Sequence, residues 1–231
     1  MITISIAGLS VGLDTDNPRI GLQCRPFLTH KPPDLIAKTS EAEIQAELTR
    51  SPCSHDTAEF ICLHRSLVGQ LVKHDRFLLH GAAICMDGRA YIFTAKSGVG
   101  KTTHVRLWQA CFGDRVKIVN GDKPILWKKD SAWLACGTPW CGKENQTSTD
   151  CIPVAGLCFL ERSEQNWIRP STPEEITEKI FHQIPRPADP GAMRKTLLLL
   201  DDFLSNVPSW TMGCNLEQEA GFVAFQAMTG R

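Results

Sequence analysis

No stretch of the 231-residue chain approaches the roughly 20 consecutive apolar residues of a membrane-spanning helix, so no membrane association is expected. The opening MITISIAGLSVGLDTD lacks the basic start and long apolar centre of a secretory leader, which predicts a cytosolic (cytoplasmic) address. Net charge is also missing. The 25 Lys and Arg residues balance 25 Asp and Glu, and no basic run occurs, which removes any electrostatic case for nucleic acid or an anionic membrane as partner. No C-x-x-C occurs among the ten cysteines, several of which sit in apolar runs such as AAICM and AGLCFL. Reduced, buried thiols are therefore expected rather than a zinc site or a disulfide framework. Cys141, in a polar stretch, has no neighbour that marks it as a nucleophile. Internal repeats and low-complexity tracts are absent too.

What is present suits a folded domain. With 42% hydrophobic and 22% charged residues, the chain can bury one core, or a core with a small appendage. Residues 1–75 read as an N-terminal lead-in: MITISIAGLSVGL as a strand, RIGLQC as a second strand, and RPFLTHKPPDLIAKTS as an irregular segment. Ser40 with Glu43 forms a capping box that opens a helix. Phe60, Leu63, Leu67 and Leu71 recur at helical spacing and predict an amphipathic helix from Thr57 to His74.

Residues 76–231 read as the core. FLLHGAAICM and RAYIFTA flank Asp87-Gly88, the residue pair a type I′ hairpin favours because both central positions take positive φ. The two-residue turn sets Met86 opposite Arg89, Ile84 opposite Tyr91 and, counting on, His80 opposite Ala95. KTTHVRLWQACFG predicts a helix stopped by Gly113, RVKIVNGD a strand ending on Asp122, and PILWKKDSAWLAC a hairpin. VAGLCFLER and NWIRP read as a strand pair. A helix capped by Ser171 and Glu174, with Pro173 near its start, runs to about His182; a longer helix, the strand SWTMGC and a final helix complete the chain. The expected fold class is α/β (α+β), a mixed sheet whose antiparallel hairpin leads into a loop and helix.

That loop is TAKSGVGKTT, residues 94–103. A phosphate loop has the pattern G-x-x-x-x-G-K-[ST]: successive backbone N–H groups wrap the phosphates, the Lys bridges the terminal ones and the hydroxyl ligates magnesium. Ala95 stands at the first glycine position, while Ser97, Gly98, Val99, Gly100, Lys101 and Thr102 keep the rest. A strand before and a helix after complete the context, the helix N-terminus adding partial positive charge. Ser97 to Thr103 are therefore the expected nucleotide contacts, with Lys101 on the β- and γ-phosphates and Thr102 on Mg²⁺. Asp122, after the next strand, is placed to complete the metal site, the rival reading being a turn aspartate in NGDKP.

With LLHG ahead of the hairpin, SGVGKT in the loop and a strand ending in Asp, the segment from Phe77 to Asp122 resembles the HPr kinase/phosphorylase family. That family is related to ATP-dependent phosphoenolpyruvate carboxykinases and has relatives that phosphorylate free serine or a peptide serine. The resemblance implies their type of nucleotide core and matches His80 to the family's histidine. It also implies two adjacent acids after the following strand, one a base and one a metal ligand. Here the pair is Gly121-Asp122: the second acid is kept and the first is missing. The base is then His80, Asp122 or Glu144. The family's C-terminal signature for its protein substrate is absent, so HPr itself is not the expected acceptor.

The long polar stretch Gly137 to Asp150 stands where acceptor recognition is expected, with Lys143 and Glu144 as candidate substrate contacts and Arg186 as a further anion-binding candidate. The function these observations imply is an ATP- and Mg²⁺-dependent kinase (ATP or ADP bound) acting on a hydroxyl of a small molecule or peptide. The alternatives are a nucleotide-binding regulatory module and a carboxykinase-like enzyme. Base preference, reversibility and the choice between monomer and homo-oligomer stay open.

Overall fold

The structure, a computed structural model, describes residues 1–230; Arg231, the last residue of the expected core, lies outside them. The chain opens with a three-stranded sheet. β1 (Ile2–Ile6) and β2 (Leu9–Leu13) pair antiparallel, and β3 (Leu35–Ala37) adds parallel to β2. The expected single strand is thus a hairpin, turned at Ala7 and Gly8, both at positive φ (47° and 76°). RIGLQC is not a strand: Pro18–Cys24 form helix α1, started by Pro18 at its first turn and by Asn17, whose side chain accepts from the Arg19 N–H.

Helix α2 (Glu41–Arg50) carries the expected Ser40–Glu43 capping box, and α3 (His55–Leu71) buries Phe60, Leu63, Leu67 and Leu71 on one face. That face packs under the small sheet and continues without a break into Leu78, Ile125 and Trp140, so the lead-in shares a core with the larger part of the chain.

The main sheet has nine strands. β4 (Arg76–Leu78), β5 (Gly81–Met86), β6 (Arg89–Thr94), β7 (Val116–Asn120), β8 (Ile125–Lys129), β9 (Ala132–Cys136), β10 (Cys151–Arg162), β11 (Trp167–Pro170) and β12 (Ser209–Cys214) contribute. Its order is β4-β8-β9-β10-β6-β5-β7, with β12 also paired to β10 and β11 to β12. The β5–β6 register is the expected one, Met86 facing Arg89 and Ile84 facing Tyr91, and Asp87 and Gly88 take φ of 52° and 75°. Long β10 holds two neighbourhoods: Cys151–Pro153 pair antiparallel with β9, and the rest runs parallel to β6 and β12. β11 therefore pairs with β12, not with β10 as its nearness in sequence suggests.

Four helices cover the sheet: α4 (Lys101–Phe112), α5 (Pro173–Ile180), α6 (Pro190–Asn206) and α7 (Glu219–Thr229). The α5 capping box is Thr172–Glu175, one residue later than Ser171–Glu174; adjacent hydroxyls and adjacent glutamates make both registers legible, and Pro173 at the first helical position selects the later one. The thiol expectation also changes. Cys136 and Cys151, facing each other across β9 and β10, form a disulfide, while the other eight cysteines are free. The bond joins the two residues that flank the Gly137–Asp150 segment. No helix among the described residues is long and apolar enough to cross a membrane.

Candidate functional site

Strand β6, interior in the sheet, ends at Thr94, and α4 begins at Lys101, so the loop between them is fixed at both ends. On α4, His104, Val105 and Trp108 form the buried face; Trp108 is fully buried against Tyr91 and Phe93 of β6, at ring distances of 5.4 and 5.5 Å. Burying a side chain of this size contributes about 2–3 kcal/mol, enough to hold the helix in register. The Trp108 indole donates to His104 Nε2 (3.3 Å), leaving the His104 proton on Nδ1, which is buried without a protein partner. Burial lowers the His104 pKa to about 4, so the ring is neutral.

Within the loop, Ser97 and Gly98 are exposed and Val99 is half-buried. Gly98 (φ 79°) and Gly100 (φ 124°) hold conformations that L-residues rarely adopt. Gly100 is the N-cap of α4 and has no side chain to cap it, so the N–H groups of Lys101, Thr102 and Thr103 face outward without a side-chain partner. Helices α1, α2, α3, α5 and α6 each have a capping side chain. The Lys101 side chain is buried and its ammonium donates to the Ala95 carbonyl (3.3 Å). Burial lowers its pKa, while the nearby Asp122 charge opposes that shift.

Opposite the loop, Asn120 shapes the turn that carries Asp122. Its fully buried Oδ1 accepts from the N–H groups of Asp122 (2.9 Å) and Lys123 (2.6 Å), and its Nδ2 donates to the Thr138 carbonyl (3.0 Å). Asp122 O in turn accepts from the Gly81 N–H, and the Gln183 carbonyl from the His80 N–H, so β5 enters the site pinned on both sides. The His80 side chain bridges Gln183 (Nδ1 to Oε1, 3.0 Å) and Asp122 (Nε2 to Oδ1, 3.3 Å), and the second Asp122 oxygen accepts from Lys123 Nζ (2.7 Å). Burial alone would raise the Asp122 carboxyl, but the His80 hydrogen bond and the Lys123 charge outweigh it and hold the group well below the usual carboxylate range.

Residues 137–150 fold as an irregular packed segment rather than a free loop. Trp140 and Cys141 are buried, the latter's thiol raised in pKa by that burial. Backbone carbonyls of Cys141 and Gln146 lie over Gly121: a Cβ there would stand 3.0 Å from the first and 3.4 Å from the second. A side chain at 121 would press on main chain at its Cβ, although Gly121 also lines a small cavity. Glu144 pairs with Arg106 of α4 (2.8 Å) near the surface, and Lys143 is exposed. Arg186 lies 5.9 Å from the Phe181 ring and lines a cavity that contains none of the loop residues.

Three cavities meet these groups. One of about 210 Å³ is lined by Thr102 and Asp122 together with Lys143 and Glu144. A second, about 500 Å³, lies on the other flank of the loop against Gly98–Gly100, Thr103, His104 and Arg162; Arg162 also donates to the Gly98 carbonyl (2.6 Å). The third, also about 500 Å³, lies between α1, α3 and the Trp140–Lys143 segment, and Asp122 and Lys123 form part of its wall. His80 lines none of the three. Among the described residues no group of three or more His, Cys, Asp or Glu could hold a metal on its own. Gln183, Lys123, Asn120 and His64 carry no motif and were not expected at the site.

The sequence matches no protein-family profile and no curated protein. Among solved structures the chain is similar to the Hpr(Ser) kinase/phosphatase from Coxiella burnetii, at 8% identity and a TM-score of 0.38, over 65% of this chain and 95% of that one. This is a distant structural relationship and carries no argument about activity.

Proposed function

We propose that the protein is a nucleotide-dependent phosphotransferase, a kinase that passes the γ-phosphoryl group of ATP to a hydroxyl. One observation carries the reading: Thr102, in the first turn of the uncapped helix, and Asp122, on the far side, line the same cavity. The glycine-shaped loop and the N–H groups of Lys101–Thr103 suit a polyphosphate, and Lys101 in the first turn adds a full positive charge. Thr103 lines the opposite cavity from Thr102, which supports a polyphosphate threading past the helix start with its nucleoside towards Arg162.

The donor set fits magnesium better than a metal held by protein alone. The Thr102 hydroxyl and the Asp122 carboxylate are two oxygen ligands, and magnesium characteristically takes one or two protein ligands and completes its shell with phosphate and water. When bound, Mg·ATP supplies the transferable group and neutralises charge on it. The chain's own part is positioning. Lys101 would hold the terminal phosphates and Asp122 the metal. As the new O–P bond forms and the bond to ADP breaks, the proton released from the hydroxyl passes to water, because a carboxylate held this far below its usual range is a weak base. His80, behind Asp122 and steadied by Gln183, is a positioning residue for that carboxylate rather than one that meets the acceptor. Such transfer relies mainly on position and charge, so the missing acid at Gly121 does not forbid it.

Incubation with ATP, Mg²⁺ and hydroxyl compounds tests this: ADP should appear only with an acceptor, and Lys101→Ala should abolish it. Nucleotide binding with no acceptor-dependent turnover would favour a regulatory nucleotide-binding module, the reading that the covered Gly121 supports.

A further inference from the structure

The 500 Å³ cavity between α1, α3 and the Trp140–Lys143 segment falls within the size range of small-molecule sites, and the proposed phosphate chemistry at Thr102 does not use it. It shares Asp122, Cys141, Gly142 and Lys143 with the cavity that holds Thr102, so the two spaces meet at one wall. Its apolar side is built from Ile20, Ile61 and the stacked pair Phe60 and Trp140, whose rings lie 5.0 Å apart. The Trp140 indole is anchored by donating to the Phe60 carbonyl (3.0 Å), so this wall is preformed.

The polar side has an unbalanced charge and an unbalanced hydrogen bond. Arg19 pairs with Asp56 (2.9 Å) and Lys123 with Asp122 (2.7 Å), whereas Lys143 forms no ion pair among the described residues. The surplus is one positive charge, and both carboxylates are already committed. His64 is 7% exposed and its Nε2 is buried without any protein partner. Burial first, and the Lys123 charge second, lower its pKa to about 3, so this nitrogen belongs to a neutral ring. That nitrogen has no accessible surface, so His64 meets the cavity through the rest of its ring and reports on what enters it.

We infer that this cavity is the acceptor pocket, and that it takes a small 2- or 3-hydroxy carboxylic acid with an apolar body. The inference rests on the proposed phosphotransferase reading. Lys143 and Asp122 line the shared wall together, which sets carboxylate and reacting hydroxyl at the same end of the acceptor. The body then lies along Phe60, Ile61 and Trp140, with the His64 ring beside it. The hydroxyl oxygen forms the bond to phosphorus, ADP departs with the electrons of the broken bond, and the hydroxyl proton leaves to water. With no uncommitted carboxylate to receive an ammonium, an amino group on the acceptor is disfavoured.

The probes are short- and medium-chain 2- and 3-hydroxy acids, each beside its amino-bearing counterpart and a hydroxyl-bearing peptide. Two readouts separate this inference from the reading beneath it. Ring-¹⁵N histidine NMR needs no nucleotide: a hydroxy acid should shift one resonance, that lost in His64→Phe, in a saturable way. In acceptor-dependent ADP release, Ile61→Trp, which fills the pocket away from Asp122, should raise the acid's KM at least about tenfold and leave Mg·ATP affinity unchanged. Nucleotide binding with no acid-induced shift at His64, an unchanged KM in folded Ile61→Trp, or turnover confined to amino-bearing or peptide acceptors overturns the pocket assignment alone. Acid binding at His64 in a protein that binds no Mg·ATP overturns the phosphotransferase reading, and the acceptor role with it.

Discussion

Gly121 offers the sharpest structural test, because it is where this chain has a hydrogen in place of an expected carboxylate. Its N–H donates to the Gln146 carbonyl (3.0 Å), and an added Cβ would lie 3.0 Å from the Cys141 carbonyl oxygen and 3.4 Å from that of Gln146. The first contact is tighter than an ordinary van der Waals distance and the second stands at its lower limit, and both neighbours are main-chain atoms with little freedom to yield. The segment is tied at its base by the Cys136–Cys151 disulfide and the Gly137–Asp150 hydrogen bond, and further along by Ser148 N–H to the Val119 carbonyl (2.9 Å). Overpacking of this kind costs about 1–2 kcal/mol for Gly121→Ala. Gly121→Asp adds a carboxylate against two carbonyl oxygens with no donor between them, for a total of about 2–3 kcal/mol. In a chain of this length 1 kcal/mol moves Tm by about 2–4 °C, so circular-dichroism melts should show losses of about 2–8 °C for alanine and more for aspartate. Gly21→Ala is the control: in α1 its Cβ meets only Ile2 Cδ1 at 3.5 Å, and alanine there should be neutral or stabilising. Restoring the acid should not raise phosphotransfer. A Gly121→Asp protein that melts like the parent and turns over faster would refute the reasoning.

Three more outcomes are expected. His64 and His104 are buried and neutral with folded pKa values of about 3 and about 4, against about 6.5 unfolded, so the unfolded chain binds more protons between these limits. Stability should be fully present above about pH 6.5 and fall as pH drops towards 4, and denaturant melts of His64→Phe should show a shallower fall; a flat profile contradicts the burial. The Asp122 carboxyl is depressed in the folded state, so its contribution is present above the ordinary carboxylate value of about 4 and lost as pH falls through its lower folded value; Asp122→Asn should remove that acid-limb loss. Reducing Cys136–Cys151, whose sequence separation is 15, should cost up to about 3 kcal/mol and raise hydrogen exchange in residues 137–150, whereas unchanged exchange would show that the segment is held by its packing alone.

The local signals that proved legible share a physical reason: a short-range rule with a single solution. Asp87-Gly88 admits one tight turn, which fixes the β5–β6 register and the place of His80 beside Thr94, the Thr94 hydroxyl donating to the His80 carbonyl (2.8 Å). Ala7-Gly8 makes a like turn, but alanine at positive φ is no turn signal, so the first hairpin read as one strand. RIGLQC alternates like a strand, and only Asn17-Pro18 ahead of it marks the helix start. Partnerships between distant segments were not legible. The insertion of β12 between β10 and β11, the disulfide, and the covering of Gly121 by Cys141 and Gln146 all depend on chain brought in from afar. Motif and position single out the loop residues and Asp122, and the structure sets Thr102 and Asp122 on one cavity. Gln183 and His64 could not be singled out so, since each gains its place from neighbours far away in sequence, and Lys123 sits beside Asp122 without any motif to mark it.

If the N-terminus of α4 and the loop before it hold a magnesium-bound nucleotide, titration calorimetry with Mg·ATP is the most direct test. Saturable heat at one site per chain is predicted, with at least about tenfold weaker binding in Lys101→Ala and loss of affinity when magnesium is chelated. No heat from a folded protein, or equal binding by the parent and Lys101→Ala, would contradict it.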